Sequence, residues 1–466
     1  MKKRKIPSSF TILFVLIALI SIATYFVPAG SYELDENDSP IVGTYHRVES
    51  NPQGIAEVLT SPFEGLYDAI DVAAFILMVG GFLGIVMQTG AISVGIRRIT
   101  EKFKGRESLM IIILTILFAI GGTTFGMAEE TMAFYPLLIP VMLAAGYDTV
   151  TAVAVILFGS GVGVLASTVN PFATGIASGF AGVALGEGIL LRLVLFIGFT
   201  VFAVTYILRY AKKIKQDPSK SIVYEQRAEN DKHFSMDSGE EKLSFTKKDK
   251  LVLALFALTF IIMIYSVIPF SDLGITFLPT LSWWFMELSA LFLVMGIVIG
   301  LVARMNEKDI VDNFVAGASD LIGVALIIGL SRAITVIMNN AMITDTILNY
   351  GENLLSGVGR SVFAVLCYIF YLPLSLLIPS TSALATLSMP IIAPLGDFSG
   401  VARSLIITAF QCACGLVNLI TPTSGVVMGA LSIGRISYGK WVKFMSVPLI
   451  VLFAVSVLAI AAGAVI

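Results

Sequence analysis

The sequence predicts an all-α polytopic membrane protein built as an inverted repeat, with two re-entrant helical hairpins and two broken helices. Three observations lead there. Of the 466 residues, 57% are hydrophobic and 13% charged, where a soluble domain carries about 25% charged, and the mean hydropathy is +0.91. Long apolar stretches are interrupted at their middles by Gly121–Thr131, Ser167–Thr174, Pro379–Thr386 and Asn418–Gly425. Those interruptions form two matched pairs: Pro136 and Pro140 stand 254 positions before Pro390 and Pro394, and Pro171 stands 251 before Pro422.

Residues 1–68 read as a first transmembrane helix and an external loop. The basic start, Met1-Lys-Lys-Arg-Lys5, precedes an apolar run over 10–27 that is longer than the usual core of a signal peptide, so the helix is retained. The following loop carries Glu33, Asp35, Glu36, Asp38, Glu49 and Glu57 against Arg47. The positive-inside rule therefore puts the N-terminus in the cytoplasm and this loop outside.

Repeat 1 covers 69–211. Its first span, 71–93, emerges at Arg97, Arg98, Lys102, Lys104 and Arg106. Hairpin 1, about 107–146, has two arms of about sixteen residues, or about 24 Å each, which is short for two crossings. A turn inside the membrane fits better, with its irregular tip facing protein or water. Over 149–186, Pro171 removes a backbone donor and disfavours helix at Asn170, which breaks the span into two half-helices. Residues 190–210 cross back, and 212–249 form a polar, mobile cytoplasmic connector. Scaffold helices fill 250–304. Repeat 2, 305–466, holds a span over 316–340, hairpin 2 (361–397), a second broken helix (401–434) and a last span that leaves the C-terminus outside. The count is nine full crossings and two hairpins. By the charge pattern the two repeats start on opposite sides, the arrangement that supports alternating access around a midplane site.

Several function classes are excluded. There is no basic block to grip nucleic acid and no phosphate-binding Gly-x-x-x-x-Gly-Lys-Ser/Thr loop for a built-in ATPase. His46 and His233 lie in polar loops, and Cys367, Cys412 and Cys414 lie in apolar segments, so neither a metal site nor a disulfide framework is expected. No enzymatic chemistry and no organic cofactor are expected; sodium or a proton is the coupling ion, and a small molecule and the lipid bilayer are the partners.

The chemistry concentrates at the interruptions. Glu129 and Glu130 place two adjacent carboxylates inside a hydrophobic stretch, where charge costs about 2.5–3.5 kcal/mol or more. Helix ends at hairpin tips expose N–H groups that suit a carboxylate, while hydroxyls and amides at unwound turns suit sodium or a hydroxylated substrate. The expected substrate shell is Glu129, Glu130, Thr131, Asn170, Ser380, Thr381, Ser382, Thr421 and Thr423. The expected ion shell is Thr124, Gly126, Ser167, Thr168, Asn170 and Ser424. Arg332, the other charge deep in a span, is a charge partner for a glutamate or for a substrate carboxylate. Each polar residue at a break is also a natural cap for the broken backbone.

Taken together, Gly126-Met-Ala-Glu-Glu-Thr131, Pro136-x-x-x-Pro140, Gly146-Tyr-Asp148, Ser167-Thr-Val-Asn-Pro-Phe-Ala-Thr174, Pro390-Ile-Ile-Ala-Pro-Leu-Gly-Asp397 and Asn418-Leu-Ile-Thr-Pro-Thr-Ser-Gly425 resemble the YfcC branch of the DcuC-like (C4-dicarboxylate anaerobic carrier-like) family. The resemblance covers about 5–460. That family belongs to the ion transporter superfamily and is related to the divalent anion/sodium symporters. It implies a bacterial inner-membrane homodimer with a scaffold domain and an elevator-type transport domain. The symporter relatives carry Ser-Asn-Thr at each hairpin tip; here the first tip has acid instead and Thr381 replaces the second Asn. Those departures disfavour a doubly anionic substrate, and some arginine/ornithine exchangers belong to the broad family. A basic amino acid is therefore the leading substrate and a C4-dicarboxylate the alternative, with a channel or a non-transporting sensor as a further class. Whether Glu129 and Glu130 meet cargo, a proton or a structural partner stays open at the level of sequence.

Overall fold

The computed structural model describes residues 9–35, 40–41, 43–92, 94, 106–234, 246–267, 270, 277–281, 283 and 285–465. Helix dominates it. In chain order, α1 (Ser9–Ala23) leads to a small hairpin of β1 (Gly30–Ser31) and β2 (His46–Arg47), then α2 (Ile55–Asp68) and α3 (Ile70–Gln88). The Gly54 N–H donates to Glu57 Oε2 at 2.7 Å, which fixes the start of α2. Next come α4 (Glu107–Phe125), a 3₁₀ turn over Glu129–Phe134, α5 (Tyr135–Ala144), α6 (Thr149–Val153), α7 (Gly159–Leu165), α8 (Ile176–Ala181), α9 (Ile189–Gln216) and α10 (Arg227–Phe234). The second half holds α11 (Lys247–Val267), α12 (Phe285–Val302), α13 (Glu307–Asn340), α14 (Thr344–Leu355), α15 (Arg360–Leu377), α16 (Thr381–Phe398), α17 (Arg403–Val417), α18 (Gly425–Ile433) and α19 (Tyr438–Gly463).

Among the described residues, seven helices are long and apolar enough to cross a membrane: α3, α4, α9, α12, α13, α15 and α19. The chain is a multi-pass membrane protein. Its first helix is shorter than the apolar run suggests, and the cluster Arg97, Arg98, Lys102 and Lys104 lies outside the described residues. Besides α10 in the connector, two helices go beyond what the apolar runs predict. The first, α2, is amphipathic and carries exposed Ile55, Leu59, Phe63 and Tyr67 on one stripe. The second, α14, lies under the β1–β2 loop: Tyr32 donates its hydroxyl to Glu352 at 2.7 Å and its N–H to Asp345 at 3.1 Å.

One group of helices is organised by α13. Asn306 caps it by accepting from the Asp309 N–H at 2.8 Å, and Glu307 and Asp309 suit the positive end of the helix dipole. At about 51 Å for 34 residues, it exceeds the bilayer core of about 30 Å. It packs against α1, α2 and α3. The stretch from Ile55 to Gln88, bent at Ala69, has the same 34 positions and begins 252 residues earlier. The two run antiparallel with backbones in contact: a Cβ on Gly65 would lie 2.4 Å from the Gly329 carbonyl, and one on Gly317 would lie 2.2 Å from that of Gly80.

A second group surrounds α9. Lys215, near its end, sits 2.9 Å from Glu107 and 5.3 Å from the centre of the Tyr147 ring, so both feet of hairpin 1 meet there. At the other end of α9, Gly188 packs on Ser404, and Arg403 donates to the Ala181 carbonyl at 2.6 Å. The feet of hairpin 2 join on that side, where Arg360 Nε donates to the Gly400 carbonyl at 2.5 Å. The hairpins thus enter from opposite ends of α9. The part of the connector up to Phe234 is more ordered than its composition suggests, with Ser221, Val223 and Asn230 buried, and residues 235–245 lie outside the described residues. Its anchor is Asp148, which accepts from the Thr151 N–H (2.8 Å), Thr151 Oγ1 (2.7 Å), Tyr210 (2.7 Å) and Ser221 (2.6 Å).

Candidate functional site: a cavity where two tips and two breaks converge

Hairpin 1 turns because α4 ends on Gly126, whose φ of 76° is left-handed and free of cost only for glycine. A Cβ there would lie 2.6 Å from Asn170 Oδ1, so the tip rests directly on the first break. The Ala128 N–H donates back to Glu130 Oε2 at 3.0 Å, and Thr131 Oγ1 donates to the Ala128 carbonyl at 2.5 Å. Glu130 is therefore partly committed to the turn, while Glu129 opens the 3₁₀ segment beside it.

At the first break, Asn170 Oδ1 accepts from the N–H groups of Phe172 (2.8 Å) and Ala173 (3.2 Å), replacing the helical bonds lost around Pro171. Hairpin 2 turns at Pro379-Ser380, where Ser380 Oγ caps α16 by accepting from the Ala383 N–H at 3.3 Å and lies 3.3 Å from Ser382 Oγ. At the second break, Thr423 Oγ1 donates to the Leu376 carbonyl at 2.7 Å, and Ser424 Oγ caps α18 through the Val427 N–H at 3.4 Å. Trp441 donates its indole N–H to the Leu419 carbonyl at 2.9 Å, holding that unwound segment from behind.

All four features open on one cavity of about 300 Å³. Of the residues expected from sequence, it is lined by Glu129, Glu130, Gly126, Asn170, Ser380, Thr381, Ser382, Thr423, Ser424 and Arg332. The others turn away from it. Thr131 bonds the Ala128 carbonyl as above; Thr124 Oγ1 donates to the Ile120 carbonyl at 2.6 Å; Thr421 Oγ1 lies 2.7 Å from Thr423 Oγ1. Ser167 Oγ lies 2.7 Å from Thr174 Oγ1, and Thr168 Oγ1 donates to the Thr123 carbonyl at 3.1 Å. The Ser167–Thr174 contact closes the break on itself, and the Thr168–Thr123 bond stitches the broken helix to hairpin 1.

The cavity also contains groups that the motifs do not single out. Asp68 and Asp71 flank the bend between α2 and α3, and Asn418 opens the second break. Asp71 Oδ1 accepts from the Val72 N–H at 2.8 Å. Arg332 Nε lies 2.7 Å from Asp68 Oδ2, so its ion pair is with Asp68 and not with either glutamate. The signal in the sequence is the pair of acids spaced i, i+3 at the mouth of an apolar run, which brings both carboxylates to one side of a helical turn. Asp68, Asp71, Glu129 and Glu130 thus face Arg332 as the one base among the lining residues, a formal balance of three negative charges.

The chain matches the family model described as DcuC, C4-dicarboxylate anaerobic carrier, over residues 6–465. It is 36% identical over 494 residues to an uncharacterized protein of Haemophilus influenzae, covering 95% of this chain and 94% of that one. It is 32% identical over 493 residues to a putative basic amino acid antiporter, YfcC, of Escherichia coli K12, covering 97% and 94%. Among solved structures it is similar to the YdaH transporter of Alcanivorax borkumensis, with a TM-score of 0.44, 15% identity and 98% coverage of each chain. A further likeness is to MtrF of Neisseria gonorrhoeae, with a TM-score of 0.43, 18% identity and coverage of 98% and 95%. Both structural likenesses are too distant to bear on the site. The match from residue 6 to residue 465, on a helical chain with seven apolar spans, settles the family: the chain belongs to the DcuC C4-dicarboxylate anaerobic carriers, a family of membrane transporters.

Proposed function

We propose that the protein is a secondary active transporter of a basic amino acid such as arginine or ornithine, exchanged for a related one or coupled to Na⁺ or H⁺. The observation that carries this is the cavity's charge: four carboxylates against one arginine that is already paired. A pocket of that sign attracts a cation and repels a dicarboxylate. Glu129 meets the cationic side chain in a charge-assisted hydrogen bond. The free N–H groups at the start of α16, with Ser380, Thr381 and Ser382, hold the α-carboxylate. Glu130, Asn170 and Thr423 complete the shell, and Thr131 and Thr421 brace it. Gly126, Asn170 and Ser424, backed by Thr124, Ser167 and Thr168, are the residues for a coupling ion.

The matched 34-residue stretches and the hairpins entering from opposite ends of α9 support an inverted repeat. On that reading the group around α9 moves as an elevator against a scaffold built on α13, in a homodimer of the bacterial inner membrane. The N-terminus is cytoplasmic and the C-terminus external. C4-dicarboxylate transport is the second reading, favoured by the helix N-termini that open α16 and α18 on the cavity. Proteoliposomes loaded with ornithine separate the two. Uptake of labelled arginine against ornithine supports the first, and uptake of labelled succinate without arginine uptake supports the second. Binding without flux of either would make the protein a sensor.

A further inference from the structure

This inference rests on the basic-cargo reading. The guanidinium of Arg332 is chemically the same group as the side chain of an arginine substrate, and it stands inside the cavity that would receive that substrate. It lies within electrostatic reach of Glu129, as does Asp71. What occupies it instead is Asp68, at 2.7 Å. Asp68 closes α2 and Arg332 lies on α13, two helices held backbone to backbone where Gly65 meets Gly329. Glu129 belongs to the hairpin 1 tip, a different group of helices.

We propose that Asp68 is a positioning residue that keeps Arg332 off Glu129, and thereby keeps the tip carboxylate free for a cationic cargo. The pair is solvent-accessible, with side-chain exposures of 30% for Arg332 and 54% for Asp68. An exposed pair of this kind adds little to stability, so the fold survives its loss, and the long arginine side chain is free to reorient. Once Asp68 loses its charge, the guanidinium turns to the remaining carboxylates in reach. Asp71, which accepts one backbone N–H and keeps further acceptor sites, and Glu129 are those carboxylates, so the guanidinium is shared between them and part of it settles on Glu129. A tethered cation has an effective concentration on the order of millimolar or more, so it competes with the cargo for Glu129. Arg332 is then a built-in inhibitor that Asp68 restrains.

The experiment measures arginine binding and arginine/ornithine exchange for the full chain in proteoliposomes. Asp68→Asn is expected to weaken arginine binding about tenfold or more, through KM rather than the maximal rate. Asp68→Asn with Arg332→Gln removes one charge of each sign, keeps the cavity's balance, and is expected to restore binding to within about threefold of wild type. Arg332→Gln alone, which does not depend on the folding of the single Asp68 variant, is expected to bind arginine at least as tightly as wild type. Wild-type-like binding by Asp68→Asn overturns the proposal. A double variant as weak as Asp68→Asn also overturns it, because Asp68 would then be a cargo ligand itself. Loss of arginine binding in Arg332→Gln does the same. A wild-type protein that ignores arginine defeats the cargo reading, and this inference with it; wild-type binding with an unrescued Asp68→Asn defeats this inference alone.

Discussion

Replacing Gly126 by alanine tests how the tip of hairpin 1 is built. The change has two separable costs. A non-glycine residue at φ 76° loses about 1–2 kcal/mol to backbone sterics. The new Cβ would also stand 2.6 Å from Asn170 Oδ1, which forces that amide to shift from the Phe172 and Ala173 N–H groups. Two hydrogen bonds at about 0.5–1.5 kcal/mol each bring the total to about 2–5 kcal/mol. Gly146 provides the control: its φ is 88° and a Cβ there would have nothing within 4 Å, so Gly146→Ala carries the backbone cost alone. Thermal melts of both variants, with arginine affinity measured alongside, separate the costs. Gly126→Ala is expected to be the less stable by at least about 1 kcal/mol and to lose at least about tenfold in affinity, while Gly146→Ala keeps its affinity. Equal effects of the two substitutions would refute the claim that the tip rests on Asn170.

Glu129→Gln keeps the shape of the tip and removes the charge. Arginine exchange should fall by about tenfold or more with the melting temperature close to wild type; unchanged exchange would remove Glu129 from the cargo site. Asp148→Ala strips one acceptor from three hydroxyls and a backbone N–H. It is expected to cost about 2–4 kcal/mol and to expose residues 217–226 to limited proteolysis, and a protease-resistant connector in that variant would refute the anchoring role.

Much of this architecture is legible in the sequence, because its signals are local and physical. Pro171 and Pro422 cannot be continued through by ordinary helix, and both breaks occur beside them. The acid at 129 and 130 marks a tip because charge in an apolar run needs a polar setting. What stays hidden depends on partners distant in the chain. Asp68 looks like a polar residue ahead of a span until Arg332, 264 positions later, is brought within 2.7 Å. Thr124, Thr131, Ser167, Thr168 and Thr421 have the residue type a binding shell needs, yet each finds a bond within the protein, and composition cannot say which way a hydroxyl turns. The amphipathic α2 and α14 escape because a search for long apolar runs passes over helices that show one apolar stripe. The connector's polarity suggests mobility, but its Ser221 bonds Asp148, 73 positions earlier, beside Thr151 and Tyr210, and that tie orders its first part.

Trp441 gives the second break an optical signature. The protein has three tryptophans, and two of them, Trp283 and Trp284, are neighbours ahead of α12. The third is fully buried, stacked on Phe444, and bonded through its indole N–H to Leu419, two residues before Thr421. A chain in which Trp283 and Trp284 are changed to phenylalanine would emit from Trp441 alone. Its wavelength and intensity would then report the surroundings of Leu419 at the second break, so any change there on adding arginine could be timed in milliseconds without attaching a dye.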